Sequence, residues 1–255
     1  MQPTKVVIWK NIGETPLEAL ERFRAEEVTK GRVELKGVPM TYAGRLDPMA
    51  EGELLILVGD ECKNKEKYLG LDKEYEVEIV FGIETDTYDA LGLAAGGKEE
   101  GLKGWGVEEI TQKITAFPKT YEQTYPPYSS KTYKGTQLHE LTRAGELPDP
   151  GDMPSRNVTL YSTSLLEKGE LSSDALKKRI LNKIVLVKGD FRQREIEEAW
   201  KHFFLNNENE KFPFIRLYIF CSSGTYMRSL AHKLGKEMDI GAFALSIKRL
   251  KIVIP

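Results

Sequence analysis

The pattern of apolar and polar residues along the chain predicts a series of β-strands. Residues 75–81 largely alternate apolar and charged side chains, which is typical of a strand with one buried face. Runs rich in apolar residues at 6–9, 54–58 and 215–221 predict further strands, and the strand at 54–58 is expected to be buried. Less regular patterns add predicted strands at 157–166, 184–187 and 243–254.

Other stretches have the features of helices. The first predicted helix has a clear start, since Thr15 can cap it, Pro16 suits its first position and Glu18 completes a capping box. The apolar residues that predict its buried stripe are Leu17, Leu20, Phe23 and Val28. Further helices are predicted at 62–69, 107–117, 137–144, 174–182, 194–204 and 226–238.

Two segments lack a regular pattern. The polar, glycine-rich stretch 85–104 is expected to be a loop. The stretch 125–135 combines aromatic residues, prolines and hydroxyls, and it is expected to be an exposed binding segment. Strands and helices are interspersed, and many strands can pair as hairpins. The expected class is therefore α+β, with a mixed, largely antiparallel sheet flanked by helices.

Composition sets limits on the class of protein. The chain has 255 residues, 40 % hydrophobic and 30 % charged, which is typical of an ordinary globular protein. No apolar run is long enough to span a membrane, and residues 1–10 lack the core of a secretory signal. Cys62 and Cys221 are expected to be reduced thiols in a cytoplasmic protein. Neither the cysteines nor the three histidines have metal-ligand spacing, so we expect no metal.

The formal net charge of −2 leaves nucleic acid open as a partner. Binding to nucleic acid depends on a local cluster of Lys and Arg rather than on the total charge. Basic residues recur towards the C-terminus, at Arg228, Lys233, Lys236, Lys248, Arg249 and Lys251.

The most informative segment is the loop at residues 42–52. Asp47 directly precedes Pro48 between two glycines, Gly44 and Gly52, and the strand predicted at 54–58 follows. An aspartate on a turn beside a buried strand is well placed to meet a substrate in a cleft, which makes Asp47 a candidate nucleophile. Taken alone, the same dipeptide fits a turn aspartate that caps the backbone.

Four segments, in this order, resemble the sequence boxes of the TruB-type pseudouridine synthases. They are the Asp47 loop, the DKEYEV run at 72–77, the FGIETDTYD run at 81–89 and the CSSGTYMRSL run at 221–230. Weaker similarities lie at Lys10 with Gly13, at 126–135 and at 248–250. The order and spacing agree from about residue 5 to the end of the chain, and four boxes in order are far more specific than any one of them.

The resemblance implies a fold, a reaction and a partner. It implies the pseudouridine synthase fold and the isomerisation of a uridine to pseudouridine in the T-loop of tRNA (position 55 in standard tRNA numbering), without a cofactor. Asp47 would attack the sugar or remove a ribose proton, and Arg228 would pair with it and hold it ionised. Tyr75 would stack on the base, which must first be flipped out of the folded RNA.

The resemblance also implies further site residues. Asp89 is expected to organise contacts to RNA and to the arginine. The other expected RNA-binding residues are Lys10, Tyr42, Arg45, Tyr128, Lys131, Lys248 and Arg249. The expected base pocket contains Leu46, Tyr226 and Leu250.

The chain departs from the family pattern at several positions. Tyr42 stands where a histidine is common, Arg45 replaces a small residue, and Glu51 replaces a threonine beside the box. Tyr125 and Thr132 replace a usual proline and lysine. We expect one catalytic domain over 1–255, a helical insertion at about 167–213, no C-terminal PUA domain, and a monomer that contacts the T-arm but no membrane.

Two alternatives to this function stay open. One is a catalytically silent protein that binds or folds RNA on the same scaffold, although the combination of Asp47, Tyr75 and Arg228 favours an enzyme. The other is an RluA-like synthase acting on ribosomal RNA, which the sequence Arg45-Leu46-Asp47 suggests. The boxes at 85–87 and 224–228 argue against this second alternative.

Overall fold

An eight-stranded mixed sheet forms the centre of the fold in the computed structural model, which describes residues 4–96 and 105–254. The strands are β1 (Lys5–Lys10), β2 (Met40–Ala43), β3 (Ala50–Val58), β4 (Lys73–Phe81), β5 (Ile83–Thr85), β6 (Ala94–Gly96), β7 (Thr120–Thr124), β8 (Thr132–Tyr133), β9 (Thr136–Gln137), β10 (Ser155–Ser172), β11 (Lys211–Cys221) and β12 (Ala242–Ile252). The α-helices are α1 (Pro16–Thr29), α2 (Glu66–Leu69), α3 (Val107–Thr115), α4 (Leu138–Ala144), α5 (Ser173–Ile184), α6 (Gln193–Leu205) and α7 (Met227–Glu237).

The order of the strands confirms the predicted sheet. The order is β1-β3-β12-β4-β11-β10-β7, with β2 pairing on β3, while β5 pairs with β6 and β8 with β9 in two separate hairpins. Within the main sheet β3 and β12 pair parallel, and the other pairs are antiparallel. The last strand of the chain, β12, therefore lies inside the sheet between β3 and β4, whereas the first strand, β1, lies at one end of the strand order.

The start of α1 confirms the predicted capping box. Thr15 Oγ1 accepts a hydrogen bond from the Glu18 amide at 3.2 Å, and Glu18 Oε2 accepts one from the Thr15 amide at 2.8 Å. The apolar stripe is only partly as predicted. Leu20 is buried and packs with the inner face of β3, whereas Leu17 lies exposed in the first turn.

Several predicted elements need correction. The strand predicted at 184–187 is wrong, because Ile184 ends α5 and the next two residues, Val185 and Leu186, form an exposed turn. The loop predicted at 85–104 begins within the β5–β6 hairpin, and its residues 97–104 lie outside the described part of the chain. Residues 62–69 form two short helices, a 3-10 helix over Gly59–Asn64 and then α2.

The region 167–213 contains α5 and α6, but its two ends are strands. Residues 167–172 extend β10, and β11 begins at Lys211. The two helices are attached to the rest of the molecule by an aromatic cluster in which Trp200, Phe204 and Phe243 are fully or almost fully buried. Trp200 Nε1 also donates a hydrogen bond to the Ala90 carbonyl at 3.1 Å, which connects α6 to the loop that follows β5. In the described part of the chain, no helix combines the length and apolarity required to cross a membrane.

Candidate active site

Asp47 lies at the edge of a cleft, in the loop that connects β2 to β3. Its carboxylate Oδ2 accepts a hydrogen bond from Arg228 Nε at 2.8 Å. Arg228 projects from the first turn of α7 and is buried, whereas the Asp47 side chain is 34 % exposed. The structure thus brings together two residues that lie 181 positions apart in the sequence. The carboxylate reaches the cleft, and the cation supports it from inside the protein.

The guanidinium of Arg228 is fixed by two further segments. Its Nη1 donates to the Thr87 carbonyl at 2.8 Å, and its Nη2 donates to the Tyr128 carbonyl at 3.1 Å. Burial works against the charged form of Arg228, but Asp47 and Asp89 outweigh burial and raise the pKa of the guanidinium. Arg228 is therefore a permanent charge with a fixed orientation.

Asp89 is a second carboxylate next to Arg228, and it is only 4 % exposed. Its Oδ2 lies 3.7 Å from Arg228 Nε. Its Oδ1 accepts hydrogen bonds from Thr87 Oγ1 at 2.8 Å and from the Leu91 amide at 2.9 Å. Burial, with a smaller contribution from the charge of Asp47, raises the pKa of Asp89 to about 6 against the opposing effect of Arg228. Its expected contact with the arginine is present, and Asp89 also lines the cleft although little of it is exposed.

Tyr75 and Leu46 belong to the apolar core beneath the Asp47 loop. Both side chains are buried and lie in one cluster with Met227 at the start of α7. Burial raises the pKa of the Tyr75 hydroxyl, and the charge of Asp47 acts in the same direction. The tyrosine and leucine expected at the base therefore lie close to the carboxylate, with little of either side chain exposed.

Arg249 corrects a prediction from the sequence. It was expected to bind RNA, but only 1 % of it is exposed. Its Nη1 and Nη2 donate to the carbonyls of Arg45 and Gly44 at 3.0 and 3.4 Å, and its Nε donates to the Glu53 carbonyl at 2.6 Å. Buried carbonyls without a partner are costly, so a buried arginine that serves three of them fixes the shape of the Asp47 loop.

Lys10 is the second buried cation that was expected to bind RNA. It is completely buried, and its Nζ donates to the carbonyls of Ala50 and Asn11 at 2.6 and 3.0 Å. Burial lowers the pKa of its ammonium group to about 8, although the charge of Asp47 opposes this shift. Lys10 thus holds the start of β3 from below and does not reach the surface.

The wall of the cleft facing Asp47 contains residues that sequence reasoning missed. The cleft is lined there by Tyr128, Arg143, Phe191 and Arg192. Of these four only Tyr128 was expected. Arg143 lies on the predicted helix 137–144, where no pattern distinguishes it from other surface charges. Arg192 follows the segment that was wrongly predicted to be a strand, so nothing in the sequence connected it to Asp47.

The segment expected to be an exposed binding surface is buried in its first half. Tyr125 and Ser129 are buried, and Tyr125 packs edge-on against Tyr226 with 5.7 Å between the ring centres. Burial raises the pKa of the Tyr226 hydroxyl to about 12. Lys131, in the exposed second half, places its ammonium 5.2 Å from the centre of the Tyr125 ring.

The remaining expected site residues lie in other surroundings. Tyr42 packs against the cluster beneath α1, with the Lys65 ammonium 5.2 Å from its ring centre. Lys248 lies 5.4 Å from the centre of the Trp9 ring. Arg45 is exposed on the Asp47 loop, and Leu250 is half-buried on β12.

The described residues offer no obvious site for a metal. No group of three or more His, Cys, Asp or Glu side chains within 4–96 and 105–254 is arranged to hold one. Both cysteines are free. Burial raises the pKa of the Cys221 thiol to about 12, which makes it unreactive near neutral pH.

Comparison with known proteins connects this geometry to one family. Residues 32–189 match the sequence profile of the TruB family pseudouridylate synthases, N-terminal domain. A tRNA pseudouridine synthase B of Aquifex aeolicus (strain VF5) is 29% identical over 247 residues, which is 97% of this chain and 67% of the relative. The enzyme of the same name from Clostridium kluyveri is 28% identical over 224 residues, which is 88% of this chain and 61% of the relative.

A third relative and one solved structure are also similar to this chain. The tRNA pseudouridine synthase B of Francisella tularensis subsp. novicida is 30% identical over 208 residues, covering 82% of this chain and 54% of the relative. The chain thus spans between about half and two thirds of the length of these three relatives. A crystal structure of a Cbf5-Nop10-Gar1 complex has a TM-score of 0.52 at 16% identity, and it covers 97% of this chain and 48% of that one. At this identity the likeness concerns the fold alone.

Proposed function

Because the chain belongs to the TruB family of pseudouridylate synthases, we propose that it isomerises a uridine in tRNA to pseudouridine. The relatives named tRNA pseudouridine synthase B support tRNA as the substrate. The single observation that carries the proposal is the ion pair between Asp47 and Arg228, in which the carboxylate faces the cleft and the guanidinium is buried. A protein that only bound RNA would have no need of such a pair.

The reaction determines what the site must provide. The bond between N1 of uracil and C1′ of ribose breaks, and a bond between C5 and C1′ forms. The hydrogen on C5 leaves as a proton, and N1 gains one. Substrate and product have the same composition, so no oxidant or reductant is consumed. The site must therefore activate the ribose, keep the detached uracil in place and let it turn.

Asp47 is the group that we place at the ribose. Two routes are open to its carboxylate, attack on C1′ or removal of a ribose proton, and both need an ionised and oriented oxygen. Arg228 supplies the orientation through its charge-assisted hydrogen bond of 2.8 Å. Because Arg228 is itself fixed by the carbonyls of Thr87 and Tyr128, the carboxylate is positioned before the substrate arrives.

Tyr75 and Leu46 are proposed to form the floor on which the uracil rests. A uridine in a folded RNA must leave its stack to reach Asp47, and an aromatic surface in the pocket compensates for part of that loss. Stacking of a base on an aromatic side chain stabilises the complex by about 1–3 kcal/mol. The burial of Tyr75 among core residues keeps its ring rigid for this contact.

The specific target that we propose is the T-loop uridine. This target is inferred from the resemblance of the boxes around Asp47, Tyr75, Asp89 and Arg228 to those of the family. The names of the relatives specify tRNA but no position within it. Contacts to the T-arm would come from Arg143, which lines the cleft, and from Lys131 in the exposed half of the segment 125–135.

Release of tritium from [5-³H]uridine in a tRNA transcript tests this proposal, because C5 loses its hydrogen when the new bond forms. We expect release from a tRNA transcript and from a T-arm hairpin. A transcript in which cytidine replaces the T-loop uridine should release none. The absence of release from both the unaltered tRNA transcript and the T-arm hairpin would overturn the isomerase proposal. Release from the cytidine control would overturn the choice of target.

A further inference from the structure

The loop between α5 and α6, residues 185–192, reaches the cleft, although the proposed chemistry does not use it. Phe191 and Arg192 at its end line the cleft together with Asp47 and Arg228. The two helices also contribute to the core near Asp89, where Trp200 donates its hydrogen bond to the Ala90 carbonyl. The loop is therefore held by packed elements on both sides.

The same loop contacts the Asp47 loop through one intermediate turn. The Lys188 amide donates to the Gly13 carbonyl at 3.3 Å, and the Gly13 amide donates to the Pro48 carbonyl at 2.8 Å. Gly13 has a φ of +88°, and a Cβ atom at this position would lie only 2.0 Å from the Leu186 carbonyl oxygen. Loop 185–192 thus has a fixed position relative to the Asp47 loop.

Arg192 extends from this loop into the cleft. Its Nη2 lies 2.9 Å from Asp86 Oδ2, and its Cζ lies 4.6 Å from the centre of the Tyr128 ring. Its backbone is left-handed, with a φ of +62°, which is uncommon for a residue with a side chain. Such a conformation persists only where the surroundings enforce it, and Arg192 stands at the N-cap of α6, where its carbonyl accepts a hydrogen bond from the Ile196 amide at 2.9 Å.

The contacts of the Arg192 guanidinium leave some of its N–H donors free to bind a ligand. The Tyr128 ring centre lies 4.6 Å from its Cζ, and Nη2 donates a hydrogen bond to Asp86 Oδ2. An arginine has five N–H donors, so several remain, and the side chain is 28 % exposed. The remaining N–H donors of a partly exposed guanidinium suit oxygen anions, and in RNA these are the backbone phosphates.

Arg143 strengthens this assignment, because it lines the same part of the cleft and is exposed. It has no ion pair within the described ranges of the chain. Phosphate contacts position a nucleic acid without reading its sequence, so such a site would hold the strand on either side of a flipped nucleotide.

We propose that Arg192 binds a backbone phosphate of the RNA next to the target uridine, so that the α5–α6 loop forms part of the RNA-binding wall. This inference rests on the proposed function for the identity of the ligand as RNA. It makes Arg192 a positioning residue, whose loss should weaken binding far more than it slows the chemical step.

The test uses three variants of the full chain and a fluorescent T-arm hairpin. Arg192→Gly removes the side chain and suits the left-handed backbone, and Arg192→Lys keeps the charge without the planar fork. Arg194→Ala is the matched control, since Arg194 is a solvated arginine two residues further along. Fluorescence anisotropy over a series of salt concentrations gives Kd and its salt dependence, and tritium release gives kcat and KM.

We expect Arg192→Gly to weaken binding by about tenfold and to reduce the slope of log Kd against log salt by about 0.7–1, as for one lost phosphate contact. Arg192→Lys should keep the slope but only part of the affinity, and Arg194→Ala should match the wild type. In Arg192→Gly kcat should stay within about twofold, because the contact is made equally in the ground and transition states.

Other outcomes would overturn the inference. If Arg192 only anchored its loop, Arg192→Gly would lower the melting temperature and kcat while the salt slope stayed unchanged. Should Arg192→Gly fail to fold, wild-type affinity in Arg192→Lys would be decisive against the phosphate contact, and reduced affinity with an unchanged slope would support it. A wild type that binds the hairpin but releases no tritium would refute the isomerase proposal alone, and one that fails to bind would refute the phosphate contact.

Discussion

Two carboxylates share Arg228, and their surroundings give them different properties. Asp47 faces the cleft with a third of its side chain exposed, whereas Asp89 is enclosed by Thr87 and Leu91. In our proposal the exposed carboxylate acts at the ribose and the buried one holds the arginine. This separation follows from environment alone, since both residues are aspartates of the same intrinsic acidity.

Arg228→Lys tests whether the orientation of Asp47 matters beyond the presence of a positive charge. A lysine cannot donate at once to Asp47 and to the two carbonyls that Arg228 contacts, so the carboxylate should lose its fixed position. We expect kcat to fall about 10²-fold, because small errors in placement carry such costs, with little change in KM.

Tritium-release kinetics measure both constants. Arg216→Lys, a replacement of the same type on the exposed side of β11, should leave them unchanged. A wild-type kcat in Arg228→Lys would contradict the proposal that Arg228 orients Asp47. This includes the case in which the variant binds RNA more weakly while kcat is unchanged.

The burial of Asp89 predicts a pH dependence of stability. Its pKa is raised from 3.8 to about 6 in the folded protein, so the folded state holds this proton more tightly than the unfolded chain does. The stabilisation is complete below about pH 4 and is lost as the pH rises through about 6. Asn at this position does not titrate. The unfolding free energy of the wild type relative to Asp89→Asn should therefore fall by about 3 kcal/mol between about pH 4 and 7.

Urea unfolding of both proteins at several pH values measures this difference. The exposed Asp152→Asn, measured in the same way, serves as the control for replacing an aspartate by an asparagine. A difference between the two proteins that does not vary with pH, or a wild type that gains stability relative to Asp89→Asn as the pH rises, would contradict a raised pKa of Asp89.

The Asp47 loop takes its shape from elements at both ends of the chain. Arg249 on β12 and Lys10 on β1 donate to its carbonyls or to those of β3, and the Gly13 turn contacts Pro48. A loop between two strands would otherwise leave these carbonyls without a partner in the protein. The loop is therefore held directly by Arg249 and the Gly13 turn, and Lys10 holds the start of β3 that follows it.

The Gly13 turn permits a clean test of this arrangement. Ala at Gly13 would be strained by the positive φ and would also collide with the Leu186 carbonyl. Gly31 has a similar φ of +99° with nothing within 4 Å, so Gly31→Ala measures the strain alone. We expect Gly13→Ala to destabilise the protein by roughly 1–3 kcal/mol more than Gly31→Ala. Its kcat should also fall, because the displaced turn contacts Pro48 beside Asp47.

Thermal or urea unfolding gives the two stabilities, and tritium release gives the activities. Equal stability losses in the two alanine variants would contradict the close packing of loop 185–192 on the Gly13 turn. A destabilised Gly13→Ala with unchanged kcat would show that the packing of the Gly13 turn does not determine the position of Asp47.

Across the whole molecule, the sequence predicted local elements better than the positions of charged side chains. The box resemblance was sufficient to place Asp47 opposite Arg228, because a family pattern carries tertiary information. The sequence predicted a mixed, largely antiparallel sheet but not the order of its strands. The parallel pairing of β3 with β12, for example, joins segments about 200 residues apart.

The errors have a common physical origin. Lys10 and Arg249 are basic residues near an RNA-type site, so a surface contact was the natural expectation, but unpaired carbonyls in the loop draw both side chains inward. Arg192 depends on a partner 106 residues away, which no local pattern encodes. The short apolar run at 184–187 is equally compatible with a helix end, and length alone could not decide between the two.

Asp47 is the residue that we propose to carry out the chemistry on a uridine in tRNA. The most direct measurement is tritium release from [5-³H]uridine-labelled tRNA by the wild type and by Asp47→Asn, which keeps the size and removes the charge. Our account predicts release by the wild type and none above background by Asp47→Asn, with RNA binding by the variant largely intact. Release that persists in Asp47→Asn would contradict it.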